Sequence, residues 1–311
     1  MPTLICGSLA FDTIMVFHGR FAEQLLPDQI HILNVSFLVP ELRREFGGCA
    51  GNIAYNLALL GGEPLLMASV GEDAQPYLER LDRLGLDRRF VRCVTGTFTA
   101  QAFITTDLDD NQITAFHPGA MSQSHLNHVS ETKGIRLGIV APDGRDGMLQ
   151  HAREFAEAGI PFVFDPGQGL PMFSADELSN FIELAHYVTV NDYEAKLLSE
   201  RSGRSIENIA ASGKICVVTL GAQGSVIYAQ GQTYRVPAVN AEQLSDPTGC
   251  GDAYRSGLLY GIAHALDWET TGRLASTMGS IKIAHQGPQN HTPSRDEISE
   301  RFKGAFGYSP W

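Results

Sequence analysis

Short apolar segments alternate with longer segments of helical periodicity, most regularly after residue 135. The strands predicted in this part are 137–141, 162–164, 187–190, 215–220, 225–229 and 233–237. The predicted helices are 144–158, 175–184, about 194–200, 206–211, 252–264, 270–285 and 294–302. Alternating strands and helices imply a parallel sheet covered on both faces. The last two strands follow each other directly, so we expect an antiparallel pair.

The first 118 residues add strands that no helix separates. Strands are predicted at 4–8 and 64–70, and helices at 51–60 and 75–84, the latter ended by Gly85. Other segments have an extended pattern without intervening helices: 13–17, 30–38, and a hairpin of 98–106 and 112–116 around the turn 109–111. We expect these segments to form a small second sheet, from about 13–46 and 97–118, within one domain covering 1–311.

Composition restricts the classes of partner. The 311 residues are 43% hydrophobic and 19% charged, with a net charge of -12, which disfavours nucleic acid and anionic membranes. No apolar stretch is long enough to span a bilayer, and the chain enters its first strand without a signal-peptide pattern. Five cysteines occur singly, at 6, 49, 93, 216 and 250, which fits a reducing cytoplasm.

The most informative stretch is 246–253, Asp-Pro-Thr-Gly-Cys-Gly-Asp-Ala. Gly249 and Gly251 allow a tight turn that exposes backbone N–H groups at the start of a helix. These groups suit a phosphate or a developing oxyanion. Asp252 places a carboxylate beside that site, as expected of a base that deprotonates an attacking hydroxyl. The alternative is that Asp252 only caps the helix.

A second glycine-rich turn, 47–52, precedes the helix predicted at 51–60 and ends at Asn52, which either caps that helix or reaches a ligand. The chain has neither GxxxxGK[ST] nor a GxGxxG after a strand, which excludes a P-loop and disfavours a dinucleotide fold. Further polar or glycine-rich sites follow strands at Asp12, Gln168, 191–194 and 219–224. Because ligands bind at the carboxyl ends of parallel strands, we expect these sites to form one active site.

Three of these motifs resemble signatures of the ribokinase-like (PfkB) carbohydrate and nucleoside kinases. They are 246–253, 47–54 (Gly-Gly-Cys-Ala-Gly-Asn-Ile-Ala) and 191–194 (Asn-Asp-Tyr-Glu). Within that family, the segments 19–27, 36–39, 116–121 and 252–255 resemble bacterial adenosine kinases. The resemblance implies an α/β three-layer sandwich with a central, mostly parallel sheet and a small β-sheet lid.

The implied reaction is ATP-dependent phosphorylation of the adenosine 5′-hydroxyl to give AMP, a purine-salvage step. Asp252 would be the base, and the backbone N–H groups of Gly249, Cys250 and Gly251 the anion hole. Mg²⁺ and its waters would be organised by Glu194 and Asn191. The lid sheet would also join two chains into a homodimer.

The resemblance also implies binding residues. For the nucleoside, Asp12 would bind the ribose hydroxyls with help from Ser8, Gly48 and Asn52. Phe116 and Phe103 would stack on adenine, and Gln168 and Ser36 would lie nearby. Those for the nucleotide would be Asn191, Thr219, Gly221 and Gly224. By themselves, Phe103 and Phe116 could equally pack the small sheet.

Two positions depart from the family pattern. Cys250 replaces a small apolar residue, and its thiol is expected to be sensitive to oxidation if the helix N-terminus lowers its pKa. Gln168 lies between two glycines where adenosine kinases have two adjacent glutamines, which puts strict adenosine specificity in question. A kinase for another nucleoside or a sugar is one alternative, and a non-catalytic nucleoside-binding protein is another.

Overall fold

The computed structural model describes residues 1–24, 35–109 and 111–311. The strands are β1 (Pro2–Cys6), β2 (Ala10–Val16), β3 (Glu41–Gly47), β4 (Glu63–Val70), β5 (Asp87–Cys93), β6 (Ala100–Thr106), β7 (Gln112–His117), β8 (Leu137–Val140), β9 (Phe162–Phe164), β10 (Tyr187–Asn191), β11 (Ile215–Thr219), β12 (Ser225–Ala229) and β13 (Gln232–Val236). The helices are α1 (Phe21–Gln24), α2 (Cys49–Leu59), α3 (Gln75–Arg83), α4 (Arg145–Glu157), α5 (Ala175–Leu184), α6 (Asp192–Ser202), α7 (Ile206–Ala211), α8 (Cys250–Ala263), α9 (Trp268–Ile283) and α10 (Arg295–Phe306).

The large sheet has nine strands in the order β13-β12-β11-β10-β9-β8-β1-β4-β5. All neighbours are parallel except β11–β12 and β12–β13, which are antiparallel as expected. Every residue of β8 and β9 is buried, because helices cover both faces of these central strands. The predicted α/β sandwich, with a central mostly parallel sheet and a separate small sheet, is confirmed.

The packing of α8 against α9 explains the small residues of α8. A Cβ atom at Gly257 would lie 2.5 Å from the Cα of Ala275, closer than real contacts allow. The two helices therefore touch through their backbones at this point. Nearer the start of α8, a Cβ atom at Gly279 of α9 would lie 3.8 Å from the Cys250 carbonyl oxygen, so the two helices are also close where the 246–253 motif enters α8.

The small sheet has the order β3-β2-β6-β7. Asp12 pairs with Ala102, and Ala102 pairs with Phe116, so these three side chains share one face. Phe103 follows Ala102 in β6 and therefore projects from the opposite face. Hydrophobic side chains are exposed on that opposite face at Leu42, Phe103 and Ile113.

A few predicted elements differ from the structure. Strand β5 was not predicted, because its sequence Asp-Arg-Arg-Phe-Val-Arg-Cys carries four charges and lies at a half-exposed sheet edge. Residues 35–38 have no regular secondary structure, so the strand-like pattern of 30–38 does not continue there. Three parts of the predictions lie outside the described residues: 30–34 of that segment, 25–27 of the adenosine-kinase-like segment 19–27, and Asp110 of the predicted turn.

Candidate active site

Three cavities meet at the start of α8, where Gly251 lines all of them. The first, about 490 Å³, lies between the small sheet and the large one, and we call it the lid cavity. The second, about 460 Å³, lies beside β11 and α9 and is called the outer cavity. The third, about 340 Å³, joins them and is called the acidic cavity. Asp252 lines both the lid cavity and the acidic cavity.

The sequence-predicted residues divide among these cavities. Those lining the lid cavity are Ser8, Asp12, Gly48, Asn52, Phe116, Gln168, Gly249, Gly251 and Asp252. Those lining the outer cavity are Thr219, Gly221, Gly224, Cys250 and Gly251. The acidic cavity contains Asn191 and Glu194. Ser36 and Phe103 line none of the three.

The turn before α8 exposes backbone N–H groups. Gly249 is the N-cap of α8 with a left-handed φ of 79°, and no side chain caps the helix. Within the described residues, no acceptor pairs with the N–H groups of Gly249, Gly251 or Asp252. These free donors at a helix N-terminus form an anion-binding site.

Cys250 differs from its predicted roles. Its N–H donates to the Pro247 carbonyl at 3.1 Å, so it is already occupied within the turn and is not a free anion-hole donor. Burial raises the pKa of the Cys250 thiol to about 11. The lowered pKa on which the expected oxidation sensitivity depended is therefore absent.

The Asp252 carboxylate is held by a chain of hydrogen bonds. Asn52 Nδ2 donates to Asp252 Oδ2 at 2.8 Å, and Gln289 Nε2 donates to Asn52 Oδ1 at 3.0 Å. Tyr77, which is fully buried, accepts from Gln289 Nε2 at 3.0 Å and donates to the Gly47 carbonyl at 2.7 Å. Withdrawal of the Asp252 carboxyl from water raises its pKa to about 7, although the Asn52 hydrogen bond opposes the shift. A carboxyl with such a pKa is suited to act as a base near neutral pH.

Asp12 faces the lid cavity from the third position of β2. Burial, and then the neighbouring Glu45 carboxylate, raise its pKa to about 6. The Ser8 hydroxyl accepts the Cys49 N–H at 3.1 Å at the start of α2. Asp12 therefore presents a carboxyl able to accept hydrogen bonds from hydroxyl groups in the cavity, whereas Ser8 also supports the backbone of its wall.

The far end of the lid cavity is mainly apolar. Phe116 is 52% exposed and lines the cavity, whose neighbouring wall contains Ala102, Met121 and Met172. Gln168 contributes an exposed amide, whose Nε2 lies 3.7 Å from Cys49 Sγ. An apolar slot of this kind suits a flat aromatic ring.

Phe103 and Ser36 need correction. Phe103 projects from the other face of the small sheet because β-strand side chains alternate, so it does not reach the slot beside Phe116. Ser36 is exposed and lies in a segment without regular structure outside the three cavities. Neither residue is placed to contact a nucleoside in the lid cavity.

Comparisons with known proteins identify the family of the chain. A family model described as "pfkB family carbohydrate kinase" matches residues 9–295. The chain belongs to the pfkB family. A structure of Burkholderia thailandensis nucleoside kinase in complex with inosine is 59% identical, covers 99% of both chains and superposes with a TM-score of 0.90. A second structure of that enzyme contains ADP-inosine and has a TM-score of 0.88 at 60% identity, covering 99% of this chain and 97% of its own.

Among curated proteins, the nucleoside kinase of Methanothermobacter thermautotrophicus is 29% identical over 307 residues, which is 96% of this chain and 98% of that one. The similarity therefore extends over the whole kinase rather than over isolated motifs. It includes both sheets of this pfkB-family kinase, because the superposition with the Burkholderia enzyme covers 99% of the chain.

The acidic cavity of this pfkB-family kinase contains a buried ion pair that the sequence did not reveal. Arg255 and Asp165 are 5% and 3% exposed, and the guanidinium donates to both Asp165 oxygens, each at 3.1 Å. Glu194 Oε2 lies 3.9 Å from the same guanidinium. The only available sequence signal was that Asp165 follows a strand and Arg255 lies one helical turn after Asp252.

Mg²⁺ is the metal that the family resemblance implies, and its fit can be judged from Glu194 and Asn191. The two residues form the capping box of α6, in which Glu194 Oε2 accepts the Asn191 N–H and Asn191 Oδ1 accepts the Glu194 N–H. Glu194 Oε1 takes no part in the capping box. Burial and the Asp165 carboxylate raise the pKa of Glu194. In the described part of the chain, no group of three or more His, Cys, Asp or Glu side chains could hold a metal by itself. The pair therefore fits Mg²⁺ that keeps its waters and is shared with nucleotide phosphates.

Two other buried groups were missed. Asp143 lines the lid cavity, and burial raises the pKa of its carboxyl to about 8. Gln289 comes from the loop before α10, more than 230 residues from Asn52 in the chain, and no sequence pattern links the two.

In the described residues, no helix is long and apolar enough to cross a membrane.

Proposed function

We propose that this protein transfers the γ-phosphoryl group of ATP to the 5′-hydroxyl of nucleosides, adenosine among them, as in purine salvage. The observation that carries the proposal is the position of Asp252, where the lid cavity reaches the free N–H groups at the start of α8. The whole-chain similarity to nucleoside kinases supports it. A nucleoside in the lid cavity and a nucleotide in the outer cavity would meet at this point.

The proposed mechanism follows from these positions. Asp12 accepts hydrogen bonds from the ribose hydroxyls, and the base lies in the slot beside Phe116. Asp252 accepts the proton of the 5′-hydroxyl as its oxygen attacks the γ-phosphorus, and ADP leaves toward the outer cavity. The N–H groups of Gly249 and Gly251 stabilise the transferring phosphoryl group, which is the main requirement of such a reaction. When bound, Mg²⁺ supplies positive charge to the phosphates beside Glu194.

The outer cavity suits the adenine and ribose of the donor nucleotide. Thr219, Gly221 and Gly224 lie at the end of β11 and before β12, opposite apolar residues that include Val239 and Leu244. Apolar walls with few polar groups are typical of nucleotide sites. ATP bound here would present its γ-phosphoryl group to the lid cavity at Gly251, which lines both cavities.

The proposed substrate class is nucleosides rather than free sugars or adenosine alone. A free sugar would leave the apolar slot of the lid cavity unfilled, whereas a base would bury it. The Burkholderia relative was solved with inosine, which supports acceptance of more than one purine nucleoside. An intact base and anion site favour catalysis over simple nucleoside binding.

An ADP-release assay with adenosine, inosine, guanosine, cytidine, ribose and fructose tests this proposal. We expect adenosine and inosine to be phosphorylated with kcat/KM values at least about 100-fold above those of the free sugars, since a buried base contributes several kcal/mol. Preference for ribose or fructose would contradict the proposal and favour a sugar kinase. Nucleoside binding without ADP release would favour a binding protein.

Replacing Phe116 by alanine should weaken nucleoside binding. Loss of stacking on a base costs roughly 1–3 kcal/mol, so the nucleoside KM should rise on the order of tenfold or more with a smaller change in kcat. Phe98→Ala is the matched control, because Phe98 is similarly exposed, at 60%, and lines none of the three cavities. Steady-state kinetics with inosine distinguish the two variants. A larger KM change in Phe98→Ala than in Phe116→Ala would overturn this assignment.

We also propose that two chains associate through the small sheet and that the enzyme works in the cytoplasm. The exposed hydrophobic side chains of Leu42, Phe103 and Ile113 on one sheet face support the first proposal. The five free cysteines support the cytoplasmic location. Sedimentation equilibrium should show a dimer that Leu42→Glu combined with Ile113→Glu converts to a monomer. A monomeric wild-type protein would contradict this interface.

A further inference from the structure

Lys282 is a fully buried lysine in the last turn of α9. Its Nζ donates to the Asp246 carbonyl at 2.7 Å and to the His285 carbonyl at 2.9 Å. Both hydrogen-bonding partners are neutral, and the nearby charged or titratable groups are Asp246, Cys250 and His291. The ammonium thus holds together two loop segments that are almost 40 residues apart in the chain.

Both segments support the walls of the proposed active site. Asp246 opens the turn that ends at Gly249, and its carboxylate accepts the N–H groups of Thr248 and Gly287, each at 2.9 Å. The segment after His285 also carries Gln289, which donates to Asn52 and through it orients Asp252. The Lys282 ammonium therefore donates hydrogen bonds to Asp246, which begins the anion-binding turn, and to the loop whose Gln289 orients Asp252 through Asn52.

Packing alone does not account for a charge at this position. Burial of an ammonium is unfavourable and lowers the pKa of Lys282, whereas an uncharged chain of similar length could fill the same space. The end of α9 offsets part of this penalty, because a positive charge interacts favourably with a helix C-terminus. What a neutral residue could not supply is a fixed positive charge behind the anion-binding turn.

We propose that Lys282 is a positioning residue for phosphoryl transfer, which fixes the Asp246 turn and the 285–289 loop and adds positive charge behind the N–H groups of Gly249 and Gly251. The inference rests on the proposed nucleoside kinase function. Lys282 does not line any of the three active-site cavities, so it acts through the turn and not by touching substrate. Its contribution should appear when charge develops on the transferring phosphoryl group, and therefore in kcat rather than in nucleoside KM.

The test compares Lys282→Met, which removes both charge and hydrogen bonds, with Lys282→Gln, which keeps N–H donors but no charge. We expect kcat with ATP and inosine to fall about 10- to 100-fold in Lys282→Met, somewhat less than the loss of a direct anion-hole donor. The inosine KM should stay within about threefold of the wild-type value. Lys282→Gln should recover only part of the loss. Turnover is expressed per folded molecule, measured by circular dichroism and thermal melting.

Lys282→Ala assayed with ethylammonium adds a second readout, with tetramethylammonium as the ionic-strength control. Recovery of kcat with ethylammonium alone supports the inference and decides the matter if Lys282→Met does not fold. A folded Lys282→Met or Lys282→Gln with wild-type kcat, or no recovery by ethylammonium, would overturn it and leave the nucleoside kinase proposal intact. A wild-type protein without nucleoside-dependent turnover would remove both.

Discussion

Replacement of Asp252 by asparagine is expected to lower kcat for inosine and adenosine by roughly 10²–10⁴-fold, the usual contribution of a positioned general base. Asparagine has nearly the same shape but cannot accept the 5′-hydroxyl proton. The lid cavity keeps Asp12 and Phe116, so nucleoside binding should change little. Steady-state kinetics and isothermal titration with inosine measure the two quantities separately. A variant that retained more than a tenth of wild-type kcat would exclude Asp252 as the base.

The pH dependence of the wild type is the control for this assignment. Asp252 must be unprotonated to act, and its raised pKa is about 7. Below pH 7, kcat/KM should therefore fall about tenfold per pH unit, and above pH 7 it should level off. Asp252→Asn should lose the part of this limb near pH 7, whereas a fall below pH 6 from protonation of Asp12, whose pKa is about 6, should remain. An unchanged profile in the variant would assign the titration to another group.

Arg255→Met is expected to cause the largest loss of stability. The guanidinium is the counter-charge of Asp165, and both side chains are almost fully buried. Removing one partner of such a pair leaves an uncompensated charge and typically costs about 3–5 kcal/mol. Urea unfolding should show this as a lower midpoint. Glu194 lies 3.9 Å from Arg255, so a raised ATP KM is also expected.

Two controls make this prediction specific. Arg88 forms a similar fork with Asp82, at 2.6 Å and 3.0 Å, on the protein surface, where water screens the pair. Arg88→Met should leave the urea midpoint nearly unchanged. Asp165→Asn combined with Arg255→Met removes both charges and should recover part of the lost stability. If Arg88→Met lowered the urea midpoint as much as Arg255→Met, burial of the ion pair would not be the cause of the lost stability.

Much of the fold could be predicted because each element carries its own local signal. The apolar runs of β8 and β9, the helical pattern of 175–184 and the glycine-rich turn before α8 are read from consecutive residues. The charged edge strand β5 carries no such signal. Its place in the sheet depends on pairing with β4, which no local pattern encodes.

The candidate site was predictable where a residue follows a strand and hard to predict where contacts are long-range. Asp252 follows from a glycine-rich turn before a helix, whereas Asp12 lies inside β2 of the small sheet and not at a strand end, and the Arg255–Asp165 pair joins residues 90 positions apart. Phe103 illustrates register: in a strand, a shift of one residue moves a side chain to the other face. No sequence pattern distinguishes Lys282 within the predicted helix 270–285, whereas the fold places its ammonium beside the Asp246 carbonyl that begins the anion-binding turn.

In the proposed reaction, a nucleoside 5′-hydroxyl bound in the lid cavity attacks the γ-phosphoryl group of ATP beside Asp252. Phosphorus NMR of the products formed from ATP and adenosine tests this step directly, with 5′-deoxyadenosine as the matched substrate that lacks only the attacking group. We predict a 5′-monophosphate from adenosine and no new phosphate ester from 5′-deoxyadenosine. Phosphorylation at the 2′- or 3′-hydroxyl, or equal reaction of 5′-deoxyadenosine, would contradict transfer to the 5′-hydroxyl.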